Sequence, residues 1–249
     1  MRLRNCLAVS TALAALAATG CGGSGSAGPG NGSANHAPVT VFAASSLTNA
    51  FTAEGAAYTK QTGRKVTFSF AGSQELVAQI QNGAPADVLA TADETTMATV
   101  AAQLRAPSQV FAHNRLVIVV APGNPHHVNS LADLANRKLA VVLAGPTVPA
   151  GKYAATALQA AHVKVHPKSL ELEVRSVLTK VELGEADAGV VYTTDATSAG
   201  SKVTAVPIAS SPIATYPIGA LTQRGVSFAD FVRSPAGEQI LRRFGFLPP

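Results

Sequence analysis

Serine, small residues and helix starts follow apolar runs of this chain, and together they suit the binding of a small anion. A run at 39–42 with the character of a buried strand leads through two alanines to Ser45 and Ser46, which stand where a helix N-cap belongs. The first N–H groups of a helix have no partner within it, and the helix dipole is positive there, so such a junction attracts anions. For one junction taken alone, an ordinary N-cap is the plainer alternative.

The same kind of junction recurs along the chain. Ser73 follows a second strand-like run at another expected N-cap, Ala150 stands at a third helix start, and 171–175 leads into a fourth helix. Tyr192 ends a further strand-like run, where its phenol can face the same crevice. Ligands of open α/β sheets bind beyond the carboxyl ends of the strands. Hydroxyls and N–H groups there, without a carboxylate or a cluster of Lys and Arg, suit a small oxyanion that stays fully charged.

Alternating strands and helices must position these groups. Strands are predicted at 39–42, 65–71, 87–92, 115–121, 139–143, 188–192, 204–208 and 216–221, and helices at 47–60, 74–82, 94–104, 151–162, 174–184, 228–233 and 236–244. Continuous β-branched runs between amphipathic helices indicate a mostly parallel sheet covered on both faces. The fold class is therefore α/β.

The beginning of the chain has the pattern of a targeting segment. Residues 1–20 combine a positive start with an apolar core too short to span a bilayer, which predicts a signal peptide. Small residues before Cys21 resemble a bacterial lipobox, although Ala18 stands where Leu is more common. We expect Cys21 to be lipidated and 21–38, rich in Gly and Ser, to be a flexible tether. Simple secretion with a free Cys21 is the alternative.

Composition and missing motifs exclude several classes of function. Removing 1–20 takes away two arginines and no acid, so the formal charge falls from +5 to +3, too little to indicate nucleic-acid binding. No stretch after the signal is long and apolar enough to span a membrane. The six histidines form no metal signature. The sequence around Ser73 is not a G-x-S-x-G elbow, and neither a Walker loop nor a G-x-G-x-x-G follows a strand.

An ordered set of motifs resembles one family. The motifs are AASSLTNAF (43–51), NGAPADVLATAD (82–93), VPAGKYA (148–154), LEVRSVL (172–178), GEADAGVVYTTDA (184–196) and SPAGEQILRRFGF (234–246). In this order they resemble the molybdate-binding proteins of bacterial ABC transporters, over essentially all of 39–249. The GAPAD and GEADAG runs alone are shared by many two-lobed binders, whereas the full set is specific.

The resemblance implies five ligand contacts, and the chain has the residue type that the family would place at each. They are the hydroxyl and N–H of Ser46, the serine at Ser73, the N–H groups of Ala150 and Val174, and the phenol of Tyr192. Ser45 stands where the family commonly has Ala, so it is an alternative to Ser46. Gly72 stands where Ser is common.

Charged residues near the expected site are assigned other roles. Asp87, Asp93 and Asp195 have the positions of cap or hinge residues, because a carboxylate beside a dianion would repel it. Arg175, one residue past a helix start, is expected to point to solvent. Tyr216 is placed away from the site, which argues against the paired tyrosines of a ferric-ion binder.

The resemblance also implies the fold and the function. We expect two lobes of the periplasmic-binding-protein type (type II), lobe 1 from 39–118 and 209–249 and lobe 2 from 119–208, with crossover strands near 115–121 and 204–219. The protein would be a monomeric, lipid-anchored, extracytoplasmic component of an ABC importer. It would capture molybdate and also tungstate, deliver them to a membrane permease, and need no cofactor or direct cation ligand. A two-lobed binder of sulfate, phosphate or a small organic acid is the alternative, and a hydrolase is a further one.

Overall fold

The computed structural model describes residues 37–249. Its strands are β1 Val39–Ala44, β2 Val66–Ala71, β3 Val88–Ala90, β4 Gln109–Val120, β5 Val141–Ala144, β6 Ser169–Glu171, β7 Ala188–Tyr192, β8 Thr204–Pro207 and β9 Ile213–Ala220. Its α-helices are α1 Thr48–Thr62, α2 Ser73–Gln81, α3 Glu94–Ala98, α4 Pro149–Ala160, α5 Val174–Glu182, α6 Thr193–Ala199, α7 Gln223–Val232 and α8 Pro235–Arg243. The predicted signal peptide and the lipidation of Cys21 lie outside the described residues.

The strands form one continuous mixed sheet in the order β2-β1-β3-β9-β4-β7-β5-β6, with β8 paired to β4. Strand β1 pairs in parallel with β2 and β3, and β5 pairs in parallel with β6 and β7. Every antiparallel pair includes β4 or β9. The predicted parallel arrangement is therefore confirmed for the outer strands, and helices flank the sheet as expected for α/β. We call the part around β1–β3 lobe 1 and the part around β5–β7 lobe 2.

Strand β4 joins the two lobes. Its first half, Gln109 to Arg115, pairs with β9, and its second half, Leu116 to Val120, pairs with β7 and β8. The predicted strand at 115–121 is thus the second half of a longer strand. The change of partner between Arg115 and Leu116 lies near the lobe boundary predicted at 118/119, and the boundaries themselves stay a prediction.

The pattern of buried apolar residues explains why the predicted segments form strands and helices. All residues of β5 and β7 are buried, as expected for strands covered on both faces. Helix α5 buries Val174, Val177, Leu178 and Val181, the spacing of one helical face. One strand and one α-helix were missed: β6 is short and half exposed, and α6 has the polar sequence TTDATSA, which carries no apolar period.

No helix within residues 37–249 is long and apolar enough to cross a membrane. The same residues contain no group of three or more His, Cys, Asp or Glu side chains placed to hold a metal ion. His126 contacts Asp187 at 3.2 Å, and His166 contacts Arg137 at 2.9 Å.

Candidate functional site

The five residues expected to contact a ligand line one cavity between the lobes. The space between its lining atoms, part of which is open to solvent, is about 200 Å³. The lining residues are Ala44, Ser45, Ser46, Ala71, Gly72, Ser73, Ala92, Val148, Pro149, Ala150, Val174 and Tyr192. None of them is charged, so any polar contact to a ligand there comes from hydroxyls and backbone groups.

The turn after β1 positions Ser46. A short 3₁₀ turn, Ser45–Leu47, begins there with Ala44 as its N-cap, so the expectation that Ser45 or Ser46 caps a helix is wrong. Instead the Oγ of Ser46 lies 3.0 Å from the hydroxyl of Tyr216, and both side chains are buried. Either hydroxyl can donate in this pair. If Ser46 donates to a ligand, Tyr216 must donate to Ser46.

The start of α2 positions Ser73. Gly72 is the N-cap of this helix and Ser73 its first residue, so the predicted serine cap is wrong here as well. The Gly72 N–H donates to Glu75 Oε2 at 3.2 Å. The N–H of Ala92, which follows β3, donates to Ser73 Oγ at 3.1 Å. Since the oxygen of Ser73 already accepts this bond, its hydrogen is directed to another acceptor, and the cavity is where it can find one.

Two helix starts of lobe 2 supply N–H groups. Pro149 occupies the first position of α4, which suits its fixed φ and missing N–H, and Ala150 follows it. Val174 is the first residue of α5. The first N–H groups of a helix lack partners within it, so those of Ala150 and Val174 are available to a ligand. A Cβ at Gly151 would overlap the carbonyl oxygens of Gly145 and Ala144, so only glycine lets α4 approach the β5 end this closely.

Tyr192, the last residue of β7, presents a neutral hydroxyl. The side chain is buried, and its hydroxyl has no hydrogen-bond partner among the residues described. Burial holds the pKa of Tyr192 well above its ordinary value, so the phenol remains protonated. A buried, unpaired O–H is costly unless something accepts from it, so this hydroxyl is available to donate to a ligand in the cavity.

Tyr216, which sequence reasoning placed away from the site, contacts one of the expected ligand residues. It lies on β9, its ring centroid is 5.7 Å from that of Tyr192, and its hydroxyl contacts Ser46. The expectation that it lies away from the site is therefore wrong. The residue is 170 positions from Ser46, and only the pairing of β9 with β3 and β4 brings it there.

Of the three aspartates near the strand ends, Asp93 and Asp195 act as caps, as predicted, whereas Asp87 caps no helix among the residues described. Asp93 accepts from the Thr96 N–H at the start of α3, and Asp195 accepts from the Tyr192 N–H at the start of α6. Asp87 accepts from Thr40 N–H, from Thr222 and from Arg224. Burial raises the pKa of Asp195 to about 7, while the nearby Arg175 charge acts in the opposite direction.

Contacts between the lobes lie beside the cavity residues. Gln74 Nε2 donates to the Leu172 carbonyl at 2.8 Å, and Lys152 Nζ contacts Asp93 Oδ2 at 2.8 Å. Arg175 donates to Asn49 Oδ1 at 3.2 Å, so the expectation that it only points to solvent is wrong. Each of the three donors is one or two residues from a lining residue, so the contacts between the lobes and the cavity share the same helix starts.

Comparison with known proteins places the chain among solute binders. A family model described as bacterial extracellular solute-binding protein matches residues 39–247. A molybdate-binding protein ModA from Mycobacterium tuberculosis (strain ATCC 25618 / H37Rv) is 41% identical over 233 residues, covering 90% of this chain and 88% of the relative. The molybdate-binding protein ModA of Escherichia coli (strain K12) is 35% identical over 237 residues, covering 87% and 91%.

A solved structure agrees with the fold. The periplasmic molybdate-binding protein of Azotobacter vinelandii superposes with a TM-score of 0.71 at 21% identity, covering 85% of this chain and 99% of that one. At this identity the likeness shows the fold, which is the two-lobed solute-binding type.

Proposed function

Because the chain belongs to the bacterial extracellular solute-binding proteins, and within them to the molybdate-binding family, we propose that it captures molybdate for an ABC importer. The observation that supports this proposal is the cavity without charged lining residues, which is lined by Ser46, Ser73, Ala150, Val174 and Tyr192 from both lobes. The protein binds and releases its ligand and catalyses no reaction on it.

The donor set suits a tetrahedral dianion. Hydrogen bonds from neutral groups to an ionised acceptor are stronger than bonds between neutral groups, so five of them offset the loss of water without a salt bridge. Two of the donors, at Ala150 and Val174, also bring the positive ends of helix dipoles. Because lobe 1 supplies the serines and lobe 2 supplies the other donors, ligand stabilises the closed form.

Selectivity follows from size and protonation. Sulfate carries the same charge as molybdate but is smaller, so a cavity sized for molybdate leaves it with longer hydrogen bonds. Phosphate carries a proton at neutral pH, and a site made of donors leaves that proton without an acceptor. Tungstate matches molybdate in charge and shape, and we propose that it binds as well. A site for sulfate, phosphate or a small organic acid remains the alternative that the experiment below addresses.

We place the protein outside the cytoplasmic membrane, anchored by a lipid on Cys21, as a monomer that presents its closed form to the membrane permease. The support is the family assignment and the lipobox-like sequence before Cys21. The lobe division proposed is 39–118 with 209–249, and 119–208.

A thermal-shift series with molybdate, tungstate, sulfate and phosphate tests the proposed ligand. At a hundredfold excess over Kd, a ligand adds about 2.7 kcal/mol to the free energy of unfolding. For a chain of this size, the melting temperature is expected to rise by roughly 5–11 °C with molybdate and tungstate. Sulfate and phosphate at the same concentration serve as controls. If sulfate or phosphate raises the melting temperature and molybdate does not, the proposed ligand is wrong and that anion takes its place. If no anion raises it, the site does not bind oxyanions.

Cys21→Ser is expected to release the protein from the membrane, because the thioether that carries the lipid requires the cysteine sulfur. Fractionation of cells expressing either form measures this, with Cys6→Ser as the matched control inside the predicted signal peptide. If Cys21→Ser remains with the membrane fraction, the lipid anchor is not at this residue.

A further inference from the structure

A buried carboxylate lies at the edge of the proposed anion cavity. Asp93 directly follows Ala92, which lines the cavity and bonds to Ser73. The side chain of Asp93 is 6% exposed. Burial is the main cause that raises the pKa of Tyr192, and the Asp93 charge is one of several that raise it further. A negative charge that reaches this phenol also reaches a dianion bound to it.

Lys152 from the other lobe compensates this charge. Its ammonium lies 2.8 Å from Asp93 Oδ2, 3.1 Å from Thr95 Oγ1 and 3.0 Å from Thr96 Oγ1. All three acceptors belong to the segment that follows β3 in lobe 1, whereas Lys152 lies on α4, which packs on β5 and β7 in lobe 2. The three donors of an ammonium group are thereby matched with three acceptors across the cleft.

We propose that Lys152 is a positioning residue for anion binding, which neutralises Asp93 at the rim of the cavity when the lobes close. The inference rests on the proposed function and adds a residue that does not touch the ligand. With the lobes apart, Asp93 lacks this counterion, and its carboxylate opposes a dianion on the serine side. On closure the ammonium of Lys152 compensates the carboxylate and joins the two lobes. One contact therefore reduces the repulsion of the dianion and stabilises the closed form.

This role differs from that of a simple bond between lobes. If Lys152 only held the lobes together, removing either partner of the pair would weaken anion binding equally. If it also neutralises Asp93, loss of the lysine alone lowers anion affinity more than loss of the aspartate or of both, because it leaves an uncompensated carboxylate beside the dianion. Removing both charges should then restore part of the affinity.

The experiment compares molybdate affinity and dissociation rate for wild type, Lys152→Gln, Asp93→Asn and the double variant. Asparagine is as good an N-cap as aspartate, so Asp93→Asn keeps the start of α3. Lys152→Gln is expected to lower affinity about tenfold, less than the loss of a fully buried partner because the lysine is 36% exposed. Asp93→Asn and the double variant are expected to bind more tightly than Lys152→Gln. Lys152→Arg, which keeps the charge, should recover part of the loss.

Lys164→Gln provides the matched control, since it removes one exposed positive charge from the same lobe. Melting temperatures without anion check that each variant folds. If Lys152→Gln binds molybdate with wild-type affinity, or the double variant binds no more tightly than Lys152→Gln, the role of Lys152 is wrong and the proposed function is unaffected. Failure of the wild type to bind molybdate would overturn the proposed function and the inference with it.

Discussion

Replacing Ser73 with alanine is expected to weaken molybdate binding roughly ten- to a hundredfold while the chain stays folded. A hydrogen bond to a charged group is worth on the order of 1.5–3 kcal/mol, which corresponds to that range in affinity. The structure favours one orientation of this hydroxyl, because the Ala92 N–H donates to its oxygen at 3.1 Å. Ser46→Ala is expected to fall in the same range, since Tyr216 restrains Ser46 through a similar contact.

Titration calorimetry of the purified variants measures the effect. Ser201→Ala is the control, because Ser201 is exposed and lies away from the cavity. Ser45→Ala separates the two neighbouring serines: if it loses affinity and Ser46→Ala does not, the contact belongs to Ser45. Wild-type affinity in both Ser46→Ala and Ser73→Ala would contradict the proposed site.

Glu54→Gln is expected to stabilise the protein at neutral and alkaline pH. Glu54 lies on the buried face of α1 with Phe51 and Tyr58, is 0% exposed, and neither carboxyl oxygen has a hydrogen-bond partner among the residues described. Burial raises the pKa of Glu54 from 4.5 to about 8, although the Arg243 charge acts against this. The folded protein therefore holds a proton that the unfolded chain releases above pH 4.5.

The sign of the effect follows from this proton. A folded pKa above the unfolded value means that stability is fully present below pH 4.5 and declines as pH rises towards 8, by about 1.4 kcal/mol per pH unit. At pH 7 the wild type has lost about 3 kcal/mol of unfolding free energy through this group. Glutamine is neutral at every pH and escapes the loss. Its melting temperature should match the wild type near pH 4.5 and exceed it by roughly 6–12 °C at pH 7.

Melting curves between pH 4.5 and 8, without anion, measure this dependence. Glu185→Gln is the control, because Glu185 is exposed and its replacement changes the net charge equally. A constant difference between Glu54→Gln and wild type across this pH range would show that Glu54 does not hold the proton.

Sequence reasoning succeeded where the signal is local. The strand before Ser46 and the helix starts at Ala150 and Val174 are visible in short apolar runs, small residues and helical spacing. Such patterns reflect burial of a strand or helix face, which neighbouring residues determine together. The same local patterns wrongly predicted Ser46 and Ser73 as N-caps. A serine after a strand is equally suited to an N-cap and to a ligand contact.

The parts of the fold and of the site that were not predicted depend on contacts between distant segments of the chain. Tyr216 reaches Ser46 across 170 residues and Lys152 reaches Asp93 across 59, and no spacing in the sequence encodes either pair. Helix α6 was missed because its polar sequence is helical only through packing and through the bond from the Tyr192 N–H to Asp195. Tertiary context decides such elements over propensity.

Two of the five proposed contact residues, Ala150 and Val174, donate through a backbone N–H alone, and this gives the two lobes unequal tolerance of substitution. Every amino acid except proline supplies a backbone N–H, so almost no single codon change removes these donors. In an alanine scan, anion affinity would fall at Ser46, Ser73 and Tyr192 and stay unchanged at the two helix starts. In lobe 2, a substitution can disturb the Ala150 donor through a residue that sets the backbone path of α4, such as Gly151.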